Sequence, residues 1–320
     1  MRPVGGLHHV TAISGPAQEN LDFYVGILGL RLVKRSVNQD DPGVYHLFYA
    51  DAEGHPGTEL TFFPWQDMPP GRLGAGLSVE VALAVPPGAL AYWQERLHRY
   101  GVATEAPQER FGERELPFSD PHGLRLALVE AASVAERPFN PWLESPVPAA
   151  WQIRGLHAAR IWVRTLEPTA RLLVEGFGFE RSASDGAWMR FRSPEDPAGG
   201  YLDVQVRPEA ASGRWGVGTV HHLAWRVVDA AHQEAVRERL LLSGLSPTPP
   251  IDRFWFRSVY FREPGGVLFE LATDGPGFAI DEDPDHLGER LILPPWLEPR
   301  RKWIESLLPP LRYPPAEVAP

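Results

Sequence analysis

Apolar and polar positions along this chain fall into one recurring order: a short strand, an amphipathic helix, then three more strands. Residues 6–13 are rich in β-branched and apolar types over a strand's length. Residues 16–28 read as a helix with Leu21, Phe23, Tyr24 and Leu28 as its apolar positions, stopped by Gly29. Segments 30–37, 45–50 and 59–63 follow as strands separated by Asp-, Gly- and Pro-containing turns. That β-α-β-β-β order invites a search for copies.

Copies are present. Residues 77–85 open a second module, with a helix over 87–100 and a closing strand over 123–129. Residues 155–161 open a third, with a helix over 168–175 and Gly176-Phe177-Gly178-Phe179 echoing Leu28-Gly29-Leu30. The fourth opens on 219–225, carries a helix over 230–242, and returns through a strand over 254–261. On that strand Phe254, Trp255 and Phe256 should alternate in facing, so that some of them form apolar walls. It closes on 265–271. The expected class is α+β, with modules one and two in residues 1–136 and modules three and four in 154–290. The Pro- and Ala-rich segment 137–153 is the expected linker. Residues 291–320 lie outside the repeat. A short helix over 300–308 with Trp296, Trp303, Ile304 and Leu307 predicts a tail that docks on the body, a lid over a site being the alternative.

Repetition also allows one position to be compared across modules. The opening strands carry His8-His9, His157-Ala158 and His221-His222, so a second histidine occurs only in modules one and four. Four residues after the glycine that precedes each closing strand stand Thr61, Ala127, Val204 and Glu270. Glu270, between Phe269 and Leu271, is costly to bury unless something positive pairs with it. Two imidazoles and one carboxylate form the facial set that leaves coordination positions open on a non-haem metal ion. Core or surface histidines are the plainer explanation, and the matched doublets count against it. Strand alternation puts Thr11 with His9 and turns His8 and His221 to the other face, unless a bulge swings them back. The remaining histidines (His46, His55, His98, His122, His232 and His286) have no repeat logic and read as structural or exposed.

Composition narrows the classes. At 320 residues, 43% hydrophobic and 22% charged, the chain is that of a globular protein with room for two domains. A net charge of −10 argues against nucleic acid or an anionic membrane as partner. The absence of cysteine excludes thiolate ligands, thiolate nucleophiles and disulfides. A structured segment from Leu7 leaves no room for a signal peptide, and no apolar run spans a bilayer, so the expected address is cytoplasmic.

With these residues in hand, the sequence resembles the vicinal oxygen chelate (glyoxalase/bleomycin resistance/extradiol dioxygenase) superfamily, and within it the ring-cleaving dioxygenases of hydroquinones. The resemblance is carried by Gly6-Leu7-His8-His9-Val10-Thr11, Tyr45-His46-Leu47-Phe48-Tyr49, Val220-His221-His222-Leu223-Ala224, Asp252-Arg253, Tyr260-Phe261-Arg262 and Leu293-Pro294-Pro295-Trp296. It implies four βαβββ modules paired into two half-open β-barrels, with modules one and four sharing the metal barrel and two and three forming an empty one. It implies Fe(II) held by His9, His222 and Glu270; on ligand grounds Mn(II) is a substitute. Arg253, Tyr260, Thr11, His8 and His221 match the residues around that metal, which favours the bulged placement of both first histidines.

The expected reaction inserts both atoms of O2 into a small hydroquinone- or catechol-type ring. Tyr260 is the first choice of proton donor, with His8 or His221 next, while Arg253 holds an oxygen or phenolate charge and Thr11 contacts substrate. A glyoxalase-like isomerase is the alternative on the same fold. It would need a second carboxylate where Thr61 stands, and Glu59 two residues away keeps that option open. A module that only sequesters an aromatic compound is the third reading. Exposed barrel edges suit self-association into a homo-oligomer.

Overall fold

A computed structural model describes residues 2–137, 139–196 and 200–315. The last five residues of the expected tail and Pro138 of the expected linker lie outside these. Module one comprises β1 (Leu7–Ser14), α1 (Ala17–Leu21), β2 (Arg31–Val37), β3 (Tyr45–Ala50) and β4 (Glu59–Pro64), and α1 runs on through a wider π turn over Asp22–Ile27. Module two comprises β5 (Leu77–Val85), α2 (Leu90–Arg99), β6 (Gln108–Arg110), β7 (Glu113–Ser119) and β8 (Arg125–Glu130). Module three has β9 (Leu156–Val163), α3 (Glu167–Arg171), β10 (Glu180–Asp185), β11 (Trp188–Arg192) and β12 (Tyr201–Val206). Module four has β13 (Thr219–Val227), α4 (Ala230–Leu242), β14 (Ile251–Asp252), β15 (Arg257–Arg262) and β16 (Leu268–Thr273). The βαβββ order thus recurs four times, as the repeats predict.

The modules pair crosswise into two curled eight-stranded sheets. One runs β14-β15-β16-β13-β1-β4-β3-β2 and joins modules four and one; the other runs β10-β11-β12-β9-β5-β8-β7-β6 and joins three and two. In both, the opening strands meet antiparallel at the centre, and each closing strand lies parallel to its own opening strand. Alternation then sorts the side chains of the first sheet. Val10, Leu60, Leu47, Leu223, Val259 and Phe269 face the helices and enter the main core. Between them along the same strands, His9, Thr61, His46, His222, Ser258 and Glu270 belong to the concave face.

Two sequence expectations need correction here. Residues 253–256 are a turn between β14 and β15, not strand, so alternation does not govern Phe254–Phe256. Asp252 accepts from the Phe254 amide, Phe254 takes φ 75°, and both Trp255 and Phe256 turn inward. In the third module, the residue aligned with Glu270 is Asp203, not Val204: Asp203 pairs with Arg160 as Glu270 pairs with Ala224.

The tail docks on module one. Leu293, Leu297 and Ile304 bury against Val37, and Ile292 donates its amide to the Arg35 carbonyl. Its helix, α5 (Arg301–Leu307), buries only Ile304; Trp296, Trp303 and Leu307, expected to pack inward, stay about half exposed.

Candidate metal centre

The antiparallel register of β1 and β13 brings the two doublets together from opposite ends of the chain. Two irregularities in that pairing decide where each imidazole points. His8 is an extra residue on β1 between the Leu7–Trp225 and His9–Ala224 pairs. His221 is an extra residue on β13 between the Thr11–His222 and Ala12–Val220 pairs. Each doublet therefore sits on a β-bulge at its first histidine, which keeps both side chains of the doublet on one side of the sheet.

His9 Nε2 and His222 Nε2 lie 3.2 Å apart, and Glu270 Oε2 lies 2.9 Å from the second and 3.4 Å from the first. Ligand atoms about 2.1 Å from a shared ion lie roughly 3.0–3.4 Å apart at octahedral to tetrahedral angles. All three residues are buried, and Glu270 Oε2 has no hydrogen-bond donor among the described residues. Its other oxygen accepts from Ser258 Oγ at 2.5 Å. Burial pushes the Glu270 carboxyl up, but His9 and His222 outweigh it and hold the group well below the usual carboxylate range. Burial lowers His222, against the pull of Glu270. Two converging imidazoles beside a buried, half-satisfied carboxylate form a donor set that fits a divalent cation.

The first histidines orient the second. His8 Nε2 lies 3.2 Å from the Thr273 carbonyl, which can only accept, so His8 carries its proton there. Burial holds His8 neutral. Its Nδ1, 3.0 Å from His9 Nδ1, then accepts from His9 and leaves a lone pair on His9 Nε2 aimed at the centre. His221 Nδ1 meets His222 Nδ1 at 2.8 Å in the matching arrangement. Beyond that contact the doublets differ. His8 sits behind His9 against Phe256, whereas His221 lines the cavity with its ring stacked on Trp215 at 4.5 Å. Burial and then His222 push His221 down to about 3.

A cavity of about 350 Å³ opens beside the triad. Phe48, Phe63, Trp65, Trp255, Phe256 and Leu268 supply its apolar wall. Tyr260 reaches it from β15, its ring 5.7 Å from that of His222. Burial and the nearby Glu270 charge raise the Tyr260 phenol, so it stays protonated, while Arg253 pulls the other way. Arg253 is 5.5 Å from the Tyr260 ring and is gripped by both oxygens of Asp40 at 3.1 and 2.8 Å. Thr11 does not line the cavity; its hydroxyl backs Thr61 at 2.7 Å.

Three groups in this centre were not singled out from sequence. Ser258 clamps Glu270, Asp40 holds Arg253, and His46 lines the cavity with Nε2 2.9 Å from Thr61 Oγ1. Laying Tyr45-His46-Leu47-Phe48 on Arg257-Ser258-Val259-Tyr260 gives the missing signal for two of them: Phe48 pairs with Thr61 as Tyr260 pairs with Glu270. Glu59, the reserve carboxylate, groups with His8 and His9 rather than with His222 and Glu270. Burial raises it well above the usual range, so it sits there as the neutral acid.

In the barrel expected to hold no metal, side chains close the equivalent position. Bulges at Val79 and His157 repeat the pattern of the first sheet, and register places Glu80, Ala158 and Asp203 where the first has His9, His222 and Glu270. Arg160, 1% exposed, sends its guanidinium to Glu80, Glu115 and Asp203. A fixed organic cation occupies the place of an ion, with Ala82, Ala127 and Ala158 supplying the room.

Residues 6–128 match the model of the Glyoxalase/Bleomycin resistance protein/Dioxygenase superfamily. Over 305 residues the chain is 44% identical to MhqO of Bacillus subtilis strain 168, covering 95% of this chain and 96% of that one. The chain belongs to this superfamily. MhqO carries ring-cleaving dioxygenase as a provisional name. A second superfamily member, the chlorohydroquinone/hydroquinone 1,2-dioxygenase of Sphingobium indicum, is 36% identical over 306 residues, with 92% and 93% of the two chains covered. The crystal structure of a protein from Bacillus subtilis, described as a dioxygenase on provisional grounds, superposes with a TM-score of 0.90 at 42% identity over 98% and 99% of the chains. Glyoxalase I from Zea mays superposes at 0.62 with 14% identity over 84% of this chain and 92% of that one, which establishes the shared fold. Among the described residues no helix is long and apolar enough to cross a membrane.

Proposed function

We propose that this protein is an Fe(II)-dependent, extradiol-type dioxygenase that opens the ring of a small hydroquinone- or catechol-type aromatic compound with O2. The observation that carries the reading is the convergence of His9, His222 and the unsatisfied Glu270 oxygen beside an aromatic-walled cavity. His9, His222 and Glu270 would hold the iron, and Mn(II) suits the same ligands. When bound, a divalent cation lowers the pKa of a coordinated phenol and leaves positions open for a second reactant.

The chain's own residues supply the rest. His8 and His221 fix the ring orientation of the two histidine ligands through their Nδ1 contacts. Trp255, Phe256, Phe48 and Phe63 cover the faces of an aromatic ring and keep water from it. Tyr260 Oη, protonated and on the cavity wall, donates a proton to substrate oxygen and recovers it from the product side. Arg253, held fully cationic by Tyr260 and Asp40 against the effect of burial, balances phenolate charge. His8 and Thr11, both behind the wall, act through His9 and Thr61 rather than on substrate.

The test is O2 uptake with hydroquinone and catechol after anaerobic Fe(II) loading, beside metal analysis of wild type and His222→Ala. Uptake with a ring-opened product, and loss of bound iron in the variant, are expected. Equal iron in both proteins, or hemithioacetal isomerisation with no O2 uptake, would overturn the assignment.

A further inference from the structure

His46 and Thr61 occupy, in module one, the places that Ser258 and Glu270 occupy in module four. Phe48 opposes Thr61 on β3 and Tyr260 opposes Glu270 on β15, and His46 and Ser258 each stand two residues earlier on the same face. Both reach across to the closing strand: Ser258 Oγ to Glu270, His46 Nε2 to Thr61 Oγ1 at 2.9 Å. So module one carries a hydroxyl where module four has its carboxylate, and an imidazole where module four has the serine that clamps it.

That imidazole is built in rather than merely present. Thr61 Oγ1, itself backed by Thr11 Oγ1 at 2.7 Å, fixes one nitrogen. Phe48 and Phe63 pack on the ring with centroids 3.8 and 4.4 Å away. Nδ1 has no partner among the described residues, and the ring lines the cavity together with His9 and His222. Three other polar groups on the wall are directed to neighbours of their own. His221 Nδ1 is taken by His222, both oxygens of Asp40 grip Arg253, and Tyr260 lies beside His222 on the Glu270 side.

We infer that His46 binds the hydroxyl of the substrate that lies across the ring from the metal-bound oxygen, and so selects a 1,4-dihydroxybenzene over a 1,2-diol or a simple phenol. This rests on the reading of the cavity as a ring-cleaving site. The geometry behind it is a para-related pair of oxygens. One meets the metal on the His9, His222 and Glu270 side, and the other needs a hydrogen-bonding partner on the opposite wall. An ortho diol puts both oxygens near the metal and leaves His46 unpaired. A site built to bond a hydroxyl discriminates strongly against the analogue that lacks it, because its own polar atom is left stranded.

The experiment is anaerobic calorimetry on the Fe(II)-loaded protein with hydroquinone, catechol and 4-methylphenol, the last replacing the remote hydroxyl with a methyl of similar size. Wild type should bind hydroquinone about tenfold more tightly than 4-methylphenol. His46→Phe should bring that ratio near one while leaving catechol affinity and iron content unchanged. His46→Gln, which keeps a polar head, should retain part of the preference. It decides the matter if the Phe variant fails to fold or to load iron. An unchanged ratio in the variants, or no preference in wild type, overturns the role of His46 and leaves the dioxygenase reading standing. A wild-type protein that neither binds any diphenol nor consumes O2 overturns both.

Discussion

Replacing Arg160 with Met tests the ion-pair plug in the second barrel. The guanidinium is 1% exposed and is shared among three carboxylates that are themselves 6%, 1% and 0% exposed: Glu80, Glu115 and Asp203. Met matches most of its length without its charge. After the change each carboxylate keeps a weaker hold. Arg190 still bonds Asp203 at 2.7 and 2.9 Å, Gln108 and Arg110 still bond Glu115 at 2.8 and 3.1 Å, and Arg125 stands 3.7 Å from Glu80. Removing one partner of a buried pair costs about 3–5 kcal/mol because the stranded charge remains. The residual partners argue for the lower half of that range, about 3–4 kcal/mol. Arg160 is a principal reason Glu115 sits below its usual range against the effect of burial, so the variant should raise that carboxyl. A carboxyl raised in the folded state adds stability below its unfolded value and loses it as pH rises. The penalty should therefore be larger at pH 7.5 than at pH 5. Urea unfolding of the metal-free wild type and variant at both pH values measures it. A cost below about 1 kcal/mol, or one independent of pH, would refute the claim that the guanidinium replaces an ion at this position.

Two further outcomes concern the candidate metal centre and the buried histidines. Ser258→Ala removes the donor to Glu270 Oε1 and should weaken divalent-metal affinity about 10- to 100-fold by equilibrium dialysis, since outer partners orient ligands. Metal-free protein should lose stability below about pH 6.5, because burial holds His8, His46 and His157 under their usual value while the unfolded chain takes up their protons. Stability from such lowered histidines is complete above the unfolded value and is lost as pH falls, by about 1.4 kcal/mol per pH unit for each, and denaturant midpoints at pH 8, 6.5 and 5.5 would show it.

The sequence by itself determined the unit and singled out the candidate ligands. Period and turn residues gave four βαβββ modules, because side-chain alternation and helical spacing are local properties that each copy states independently. His9 and His222 stood out as the second members of two doublets, and Glu270 as a charge in an apolar strand, because comparing copies within one chain cancels what the fold alone requires. Tertiary structure decided the rest, wherever the outcome hangs on register between distant strands. Crosswise pairing set β1 against β13, so histidines 213 positions apart come within 3.2 Å. Bulges at His8 and His221 turned each doublet to one side, and the register of β9 with β12 moved the equivalent acid from Val204 to Asp203. His46 showed no local peculiarity and became a wall of the cavity only when β3 was laid beside β4. Arg160 looks like any strand arginine until three carboxylates close around it, because what fills a barrel is settled by side chains from several strands at once.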